Sequence, residues 1–229
     1  MGRLAALIWL CAAAIPAAAQ EFSHHAGHGG PIMGLATLPD GRVASASFDN
    51  AVGIWAADGT PRWLDGHAAA VTVVIAGPDG VLYSGGDDFD LRVWDAAPRV
   101  LGSHLGKVRS LALSPDGRSL ASGSWDGTVH LWSLTGGGDR VLDAPGSGVN
   151  SVAFGPDGRT LFAATSGGEI FRYGLGPDGF GDGQPRFPLV RHGFGVNRIV
   201  LGPGWLAYGA VDGGTRVVDP DTGAQIADF

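Results

Sequence analysis

Residues 104–132 read HLGKVRSLALSPDGRSLASGSWDGTVHLW, and this stretch decides the fold. Ser114-Pro115-Asp116-Gly117 is a turn, because Pro presets the first dihedral and Gly accepts positive φ. Ser110-Leu-Ala-Leu-Ser114 alternates on one side of it. Thr128-Val-His-Leu-Trp132 alternates further on, after the short hairpin turn Asp126-Gly127. The stretch therefore predicts three short strands joined by tight turns.

The same pattern recurs along the chain. Leu38-Pro39-Asp40-Gly41, Gly77-Pro78-Asp79-Gly80 and Gly155-Pro156-Asp157-Gly158 repeat the turn, and Gly202-Pro203-Gly204 is a weaker fifth copy. Eleven residues before each Pro stand His28, His67, His104, Pro145 and His192. Four residues after these stand Ile32, Val71, Val108, Val149 and Val196. Trp55, Trp94 and Trp132 close the first three copies, with Tyr173 and Val218 in the last two. Six residues before the closing position lie Asp49, Asp88, Asp126, Gly167 and Asp212, and ten before it Ser45, Ser84, Ser122, Ala163 and Tyr208. The repeats fall near residues 22–57, 62–95, 100–135, 141–175 and 188–229. The Gly-rich connector from Gly174 to Pro188 stretches the last spacing and reads as an exposed loop.

Composition agrees. Of 229 residues, 40 are Gly and 14 Pro, placed at turns and without a collagen-like Gly-X-Y period. Hydrophobic residues make up 45%, enough for a sizeable core. Charged residues make up only 16%, which disfavours a long charged helix or coiled coil. The formal net charge is -7, with no run of Lys or Arg, so nucleic acid is excluded as a partner.

Residues 1–19 read as a secretory signal peptide, leaving 20–229 as the repeat domain. Arg3 supplies the positive end, Leu4 to Ile15 the apolar stretch, and Ala17-Ala18-Ala19 a small-residue cleavage site after Pro16. Twelve apolar residues are too few to span a bilayer, which disfavours an uncleaved anchor. Cleavage removes Cys11, the only cysteine, and with it any disulfide, thiolate or cysteine-bound metal. The expected location is periplasmic or secreted, with no membrane insertion after cleavage.

These residues resemble the WD40 repeat family. Gly27-His28 and Gly66-His67 match its Gly-His start, with Gly102-Ser103-His104 a variant. Trp94-Asp95 is the closing Trp-Asp, while Trp55-Ala56 and Trp132-Ser133 keep only the Trp. The resemblance implies an all-β fold, a β-propeller of four-stranded antiparallel blades around a central channel. It also implies hydrogen-bonded structural tetrads: His28, Ser45, Asp49 and Trp55; His67, Ser84, Asp88 and Trp94; His104, Ser122, Asp126 and Trp132. Blade four keeps none of these residues and blade five only His192 and Asp212, so both are expected to be less rigid.

Ser, His and Asp together invite a hydrolase reading. Their threefold recurrence at repeat offsets, always with a Trp and never with a Gly-x-Ser-x-Gly elbow, favours a structural one. The expectation is no enzyme and no catalytic residue. His24-His25-x-x-His28 has the density of a metal site, but His28 belongs to a tetrad, and no metal is expected. Asp87-Asp88-Phe89-Asp90 lacks the Gly and distal Glu of a calcium loop. Gly136-Gly137-Gly138 and Gly213-Gly214 precede no helix or Gly-Lys-Ser/Thr and read as turns.

Phe48 and Trp125 stand directly before tetrad Asp residues, with Asp87 and Val211 at the matching places. In the resembling family that turn shares a face with the His-bearing loop, which Lys107, Arg109, Phe194 and Asn197 flank. Phe48, Asp87, Lys107, Arg109 and Trp125 are the expected partner-binding residues, on a non-catalytic periplasmic scaffold for a protein partner. The alternative for the two rings is that they cover neighbouring blades.

Glu21–His25 and Ala224–Phe229 both offer an outer strand for the last blade. Five repeats then mean either a five-blade ring or an incomplete one in the N-terminal part of a longer protein. Exported chains resembling this one sometimes continue into a c-type cytochrome. An alternative function is therefore the docking part of an electron-transfer protein, with haem c only beyond Phe229. No cofactor is expected within the chain.

Overall fold

A computed structural model describes residues 27–136, 138–176 and 187–229. The signal-peptide reading of residues 1–19, the Glu21–His25 strand, His24, His25 and Gly137 lie outside the described residues. The described chain is all β: twenty strands in five sheets of four, each meandering antiparallel in chain order. Sheet 1 holds β1 (Ile32–Thr37), β2 (Val43–Ser47), β3 (Val52–Trp55) and β4 (Pro61–Leu64). Sheet 2 holds β5 (Val71–Ala76), β6 (Leu82–Gly86), β7 (Asp90–Trp94) and β8 (Arg99–Ser103). Sheet 3 holds β9 (Val108–Leu113), β10 (Ser119–Ser124), β11 (Val129–Ser133) and β12 (Asp139–Asp143). Sheet 4 holds β13 (Val149–Phe154), β14 (Thr160–Thr165), β15 (Glu169–Gly174) and β16 (Phe187–Arg191). Sheet 5 holds β17 (Val196–Gly202), β18 (Trp205–Ala210), β19 (Thr215–Val218) and β20 (Gln225–Asp228).

The four Pro-Asp-Gly turns join the first two strands of sheets 1 to 4. Their Gly residues 41, 80, 117 and 158 have φ between 64° and 86°, where a side chain is strained. Repeat and sheet run out of step by one strand, since Pro61–Leu64 closes sheet 1 although it opens the second sequence repeat. The connector is shorter than the sequence suggests, because Gly174 ends β15 and Pro188 lies in β16.

The alternating residues do not divide into one buried and one wet face. Every residue of β6, β10 and β14 is buried. A sheet inside a stack has a neighbour on each side, so both sets of side chains enter cores. Four such cores follow one another. Ala44, Ala46 and Ile54 of sheet 1 meet Val74, Leu82 and Trp94 of sheet 2. Val73, Tyr83 and Val93 meet Leu111, Leu120 and Trp132. Ala121 and Leu131 meet Val152, Leu161 and Tyr173. Phe162, Ala164 and Ile170 meet Ile199, Leu206 and Tyr208.

The stack is an open arc. Leu35, Val74, Leu111, Val152 and Ile199 hold equivalent places, each opposite the second-strand position of the tetrad serine. Val74, Leu111, Val152 and Ile199 are 3–6% exposed, whereas Leu35 is 67% exposed. On the far face of sheet 5, Val200 is 53% exposed. The first strands lie innermost, and β1, β5, β9 and Arg198 of β17 line a cavity of about 550 Å³ at the centre. Among the described residues no helix is long and apolar enough to cross a membrane.

Candidate functional site

Three networks of the same form tie the first three sheets together. In each, the second strand supplies Ser, the third strand Trp, the turn between them Asp, and the loop before the first strand His. In sheet 1, His28 Nδ1 lies 2.8 Å from Asp49 Oδ2 and Nε2 lies 2.7 Å from Ser45 Oγ, which accepts from Trp55 Nε1 at 2.7 Å. In sheet 2 the corresponding separations are 2.8 Å to Asp88, 2.7 Å between His67 and Ser84, and 2.7 Å from Trp94. In sheet 3 they are 3.0 Å to Asp126, 2.7 Å between His104 and Ser122, and 2.8 Å from Trp132. The indole N–H occupies one Ser lone pair, so the hydroxyl hydrogen points to Nε2 and the Nδ1–H to the carboxylate. This assignment satisfies every buried donor.

Electrostatics favour the charged carboxylates. Burial opposes ionisation of Asp88, but bonds from His67, Ala68 N–H and Asp90 N–H outweigh it and hold the pKa below its usual range. Burial likewise opposes ionisation of Asp126, yet the Thr128 hydroxyl, the Leu105 and Thr128 N–H groups and His104 lower it to about 2. The imidazoles are pushed the other way in sheet 3. Burial and the neighbouring His130 lower His104 despite Asp126. Ser45, Ser84 and Ser122 have no solvent exposure, so a substrate in solvent has no approach to these hydroxyls.

Sheets 4 and 5 hold together differently. Tyr173, at the closing position of sheet 4, donates to Asp143 Oδ2 at 2.8 Å, across to the outer strand of sheet 3. Thr165 Oγ1 donates to Glu169 Oε2 at 2.9 Å. In sheet 5, His192 contacts Asp212 through Nε2 at 3.1 Å, and Arg216 donates to the same carboxylate at 2.8 Å. The Arg216 bond is the main cause that lowers Asp212 to about 2.

The five expected partner-binding residues lie at the His/Asp end of sheets 1 to 3, four on loops and Arg109 at the start of β9. Phe48, in the β2–β3 turn, is 46% exposed, and Trp125, in the β10–β11 turn, is 51% exposed. Four of the five meet. Lys107 pairs with Asp87, while Arg109 lies over the Trp125 ring at 4.8 Å and Lys107 at 6.0 Å. Such stacking fixes a guanidinium plane. Trp125 Nε1 donates to Asn150 Oδ1 at 2.9 Å, and Asn150 Nδ2 donates to Val196 O at 3.0 Å. Trp125 therefore does both things the sequence left open: its edge rests on sheet 4 and half of it faces solvent. Among the described residues no hydrogen bond or ring contact joins Phe48 to this cluster; it stands apart on sheet 1. Leu105 and Phe89 add exposed apolar surface on these loops, and Phe194 and Val211 do so on the corresponding loops of sheet 5.

Sequence reasoning missed three residues that complete these networks. Trp63 on β4 stacks edge-on against His28 at 4.7 Å and against Trp55 at 5.6 Å. It fits because Gly53 opposes it: a Cβ there would lie 2.9 Å from the Trp63 ring. In sheet 3 the place of Gly53 is taken by His130, whose ring lies 4.3 Å from His104. Asn150 is the third. The Gly53/Trp63 pairing was the available signal, since Gly interrupts a strand where other copies carry a side chain. Among the described residues no group of three or more His, Cys, Asp or Glu is placed to hold a metal ion.

The family model for "WD domain, G-beta repeat" matches residues 20–56, 60–95, 98–133 and 139–171. Among similar proteins is a "Guanine nucleotide-binding protein subunit beta" of Oryza sativa subsp. indica, 29% identical over 48% of this chain and 34% of its own length. "WD repeat-containing protein 18" of Homo sapiens is 31% identical over 52% of this chain and 32% of its own. "Probable cytosolic iron-sulfur protein assembly protein 1" of Mycosarcoma maydis is 35% identical over 47% of this chain and 23% of its own. The chain thus spans about a third or less of each of these relatives. Repeats matched over more than half of the chain, five meandering four-stranded sheets and the repeated His–Ser–Asp–Trp geometry place this protein in the WD40 repeat family.

Proposed function

We propose that this chain is a non-catalytic scaffold that binds a protein partner through its His/Asp-loop end, with Phe48, Asp87, Lys107, Arg109 and Trp125 in the contact. The observation that carries this reading is the Trp125 cluster. A half-exposed indole is fixed by Asn150 on one edge and covered by a guanidinium on one face, with a Lys–Asp pair beside it. Aromatic and Arg side chains held rigid before binding lose little entropy on association, which is how a few residues dominate an interface. The rim charges of Asp87 and Lys107 would tune encounter and register.

Two kinds of support come from elsewhere. The repeated Ser and His groups, the chain's nearest approach to a catalytic set, are buried and saturated by one another. Relatives named as subunits of a guanine nucleotide-binding protein work as parts of assemblies. Residues 1–19 support export, so the partner is sought in the periplasm or outside the cell.

The double variant Phe48→Ala/Trp125→Ala, purified and immobilised beside the wild type, tests the site. The expected result is equal circular dichroism and thermal stability, with loss of a partner that the wild type captures from periplasmic extract. Retention of the same partner by the double variant overturns the site.

A further inference from the structure

We propose that His104 and His130 form a proton-operated latch on the turn that presents Trp125, so that acid loosens this docking surface. The inference rests on the docking reading for its purpose, but its physical content concerns sheet 3 alone. Sheet 3 has a feature that sheets 1 and 2 lack: a second imidazole lies on the tetrad imidazole. The rings are 4.3 Å apart, and His130 also stacks on Trp132 at 5.2 Å. In sheet 1 the covering group is Trp63, and in sheet 2 Arg92 occupies the matched place. Neither covering group is an imidazole.

His130 is half-buried, and one of its two ring nitrogens has no acceptor for an added proton. Its Nδ1 is buried and has no hydrogen-bond partner among the described residues. His104 is fully engaged, with Nδ1 facing Asp126 and Thr128 and Nε2 facing the Ser122 hydroxyl. A proton on Nε2 turns that acceptor into a donor and forces the Ser122 hydrogen away. A proton on His130 places a positive charge beside an imidazole in a poorly solvated layer. The first event costs the Ser122 bond and the second sets a charge against the neighbouring ring, so either loosens the layer behind Asp126, and Trp125 is its chain neighbour in the same turn.

Charged groups from the turn and from β12 surround the pair. Asp126 from the turn favours protonation of both rings, and Asp139 at the start of β12 favours that of His130. Beyond these, β12 places Arg140 opposite Leu131 and Asp143 opposite Val129, one residue to either side of His130. Burial outweighs the favourable carboxylates, and both pKa values lie below the ordinary 6.5. The sign follows from linkage. The unfolded chain takes up protons first, so sheet 3 keeps its full stability above pH 6.5 and loses it as pH falls through the lowered folded values. The carboxylates act in another window, since Asp126 is lowered from 3.8 to about 2 and stays charged at pH 5.

The test is hydrogen exchange of the backbone amides of residues 124–128, in the wild type, His130→Phe and His130→Gln. Phe171 already occupies the matched place in sheet 4, so an aromatic ring is compatible with it. In the wild type, protection corrected for intrinsic rates should fall about threefold or more between pH 7.5 and pH 5.0. The matched turn of sheet 2, residues 86–90, should change little. Both variants should show a clearly smaller pH dependence in residues 124–128, with His104 left as the remaining titrating ring. A wild type without the change, variants that keep it in full, or an equal change in the sheet 2 turn each overturn the latch. No partner is needed for this readout, so it stands or falls separately from the capture experiment.

Discussion

Sheets 3 and 4 are neighbours built on one plan and held by different means. Sheet 3 carries the full His–Ser–Asp–Trp network. Sheet 4 carries Pro145, Ala163, Gly167 and Tyr173 in those places and has no such network. Yet β14 is buried along its whole length, as β10 is, and Leu161 and Leu120 are both fully enclosed. The difference teaches that stacking makes the blade and the network refines it. Apolar rows from two sheets close each core, and burial of this kind is the dominant favourable contribution in folding. The tetrad adds direction. It fixes the turn that carries Asp126 and therefore fixes Trp125, whereas the equivalent turn of sheet 4, with Gly167 and Ser166, presents no aromatic ring.

The sharpest way to break this comparison is to open both cores. Leu120→Ala and Leu161→Ala should each lower stability by about 2–5 kcal/mol, because each leaves a cavity in a core closed on both sides. Denaturant unfolding measures both. Near-equal losses agree with stacking as the shared cause, and a much smaller loss in sheet 4 would show that sheet to be loosely packed. A smaller effect is expected from Ser122→Ala. It leaves His104 Nε2 and Trp132 Nε1 without their partner, at a cost of about 1–3 kcal/mol, and has no counterpart in sheet 4 because Ala163 already stands there. Exchange protection at residues 124–128 should fall in this variant, while that of the Thr165–Glu169 turn stays unchanged.

Much of the architecture was legible in the chain. The Pro-Asp-Gly turns mark the first four sheets and the offsets of His, Ser, Asp and Trp the first three, since each such repeat must satisfy the same turn or the same buried polar groups. Residues that are the same in every copy announce a repeat; residues that differ carry the particulars. Trp63, His130 and Asn150 belong to the second kind. They fill places where the copies disagree, and only the cross-strand register brings Trp63 over Gly53 or His130 over His104. The alternation of Ser110–Ser114 marks a strand but not what covers it, and the structure covers its two sides with sheets 2 and 4. Phe48 and Trp125 look alike in sequence. In space only Trp125 gains a guanidinium and an amide partner, because only sheet 3 has Arg109 on one side and Asn150 of sheet 4 on the other.

The central claim is that the His/Asp-loop end of the stack is the surface that meets another protein. Site-specific photo-cross-linking in cells tests it most directly, with a photoreactive phenylalanine analogue placed at Trp125 in one variant and at Arg118 or Arg159 in others. Those Arg residues are exposed and directly follow the Pro-Asp-Gly turns, at the other end of the strands from Trp125. The account predicts one discrete adduct from the Trp125 position and none from the Arg positions. An adduct from the Arg positions with none from Trp125 would contradict it.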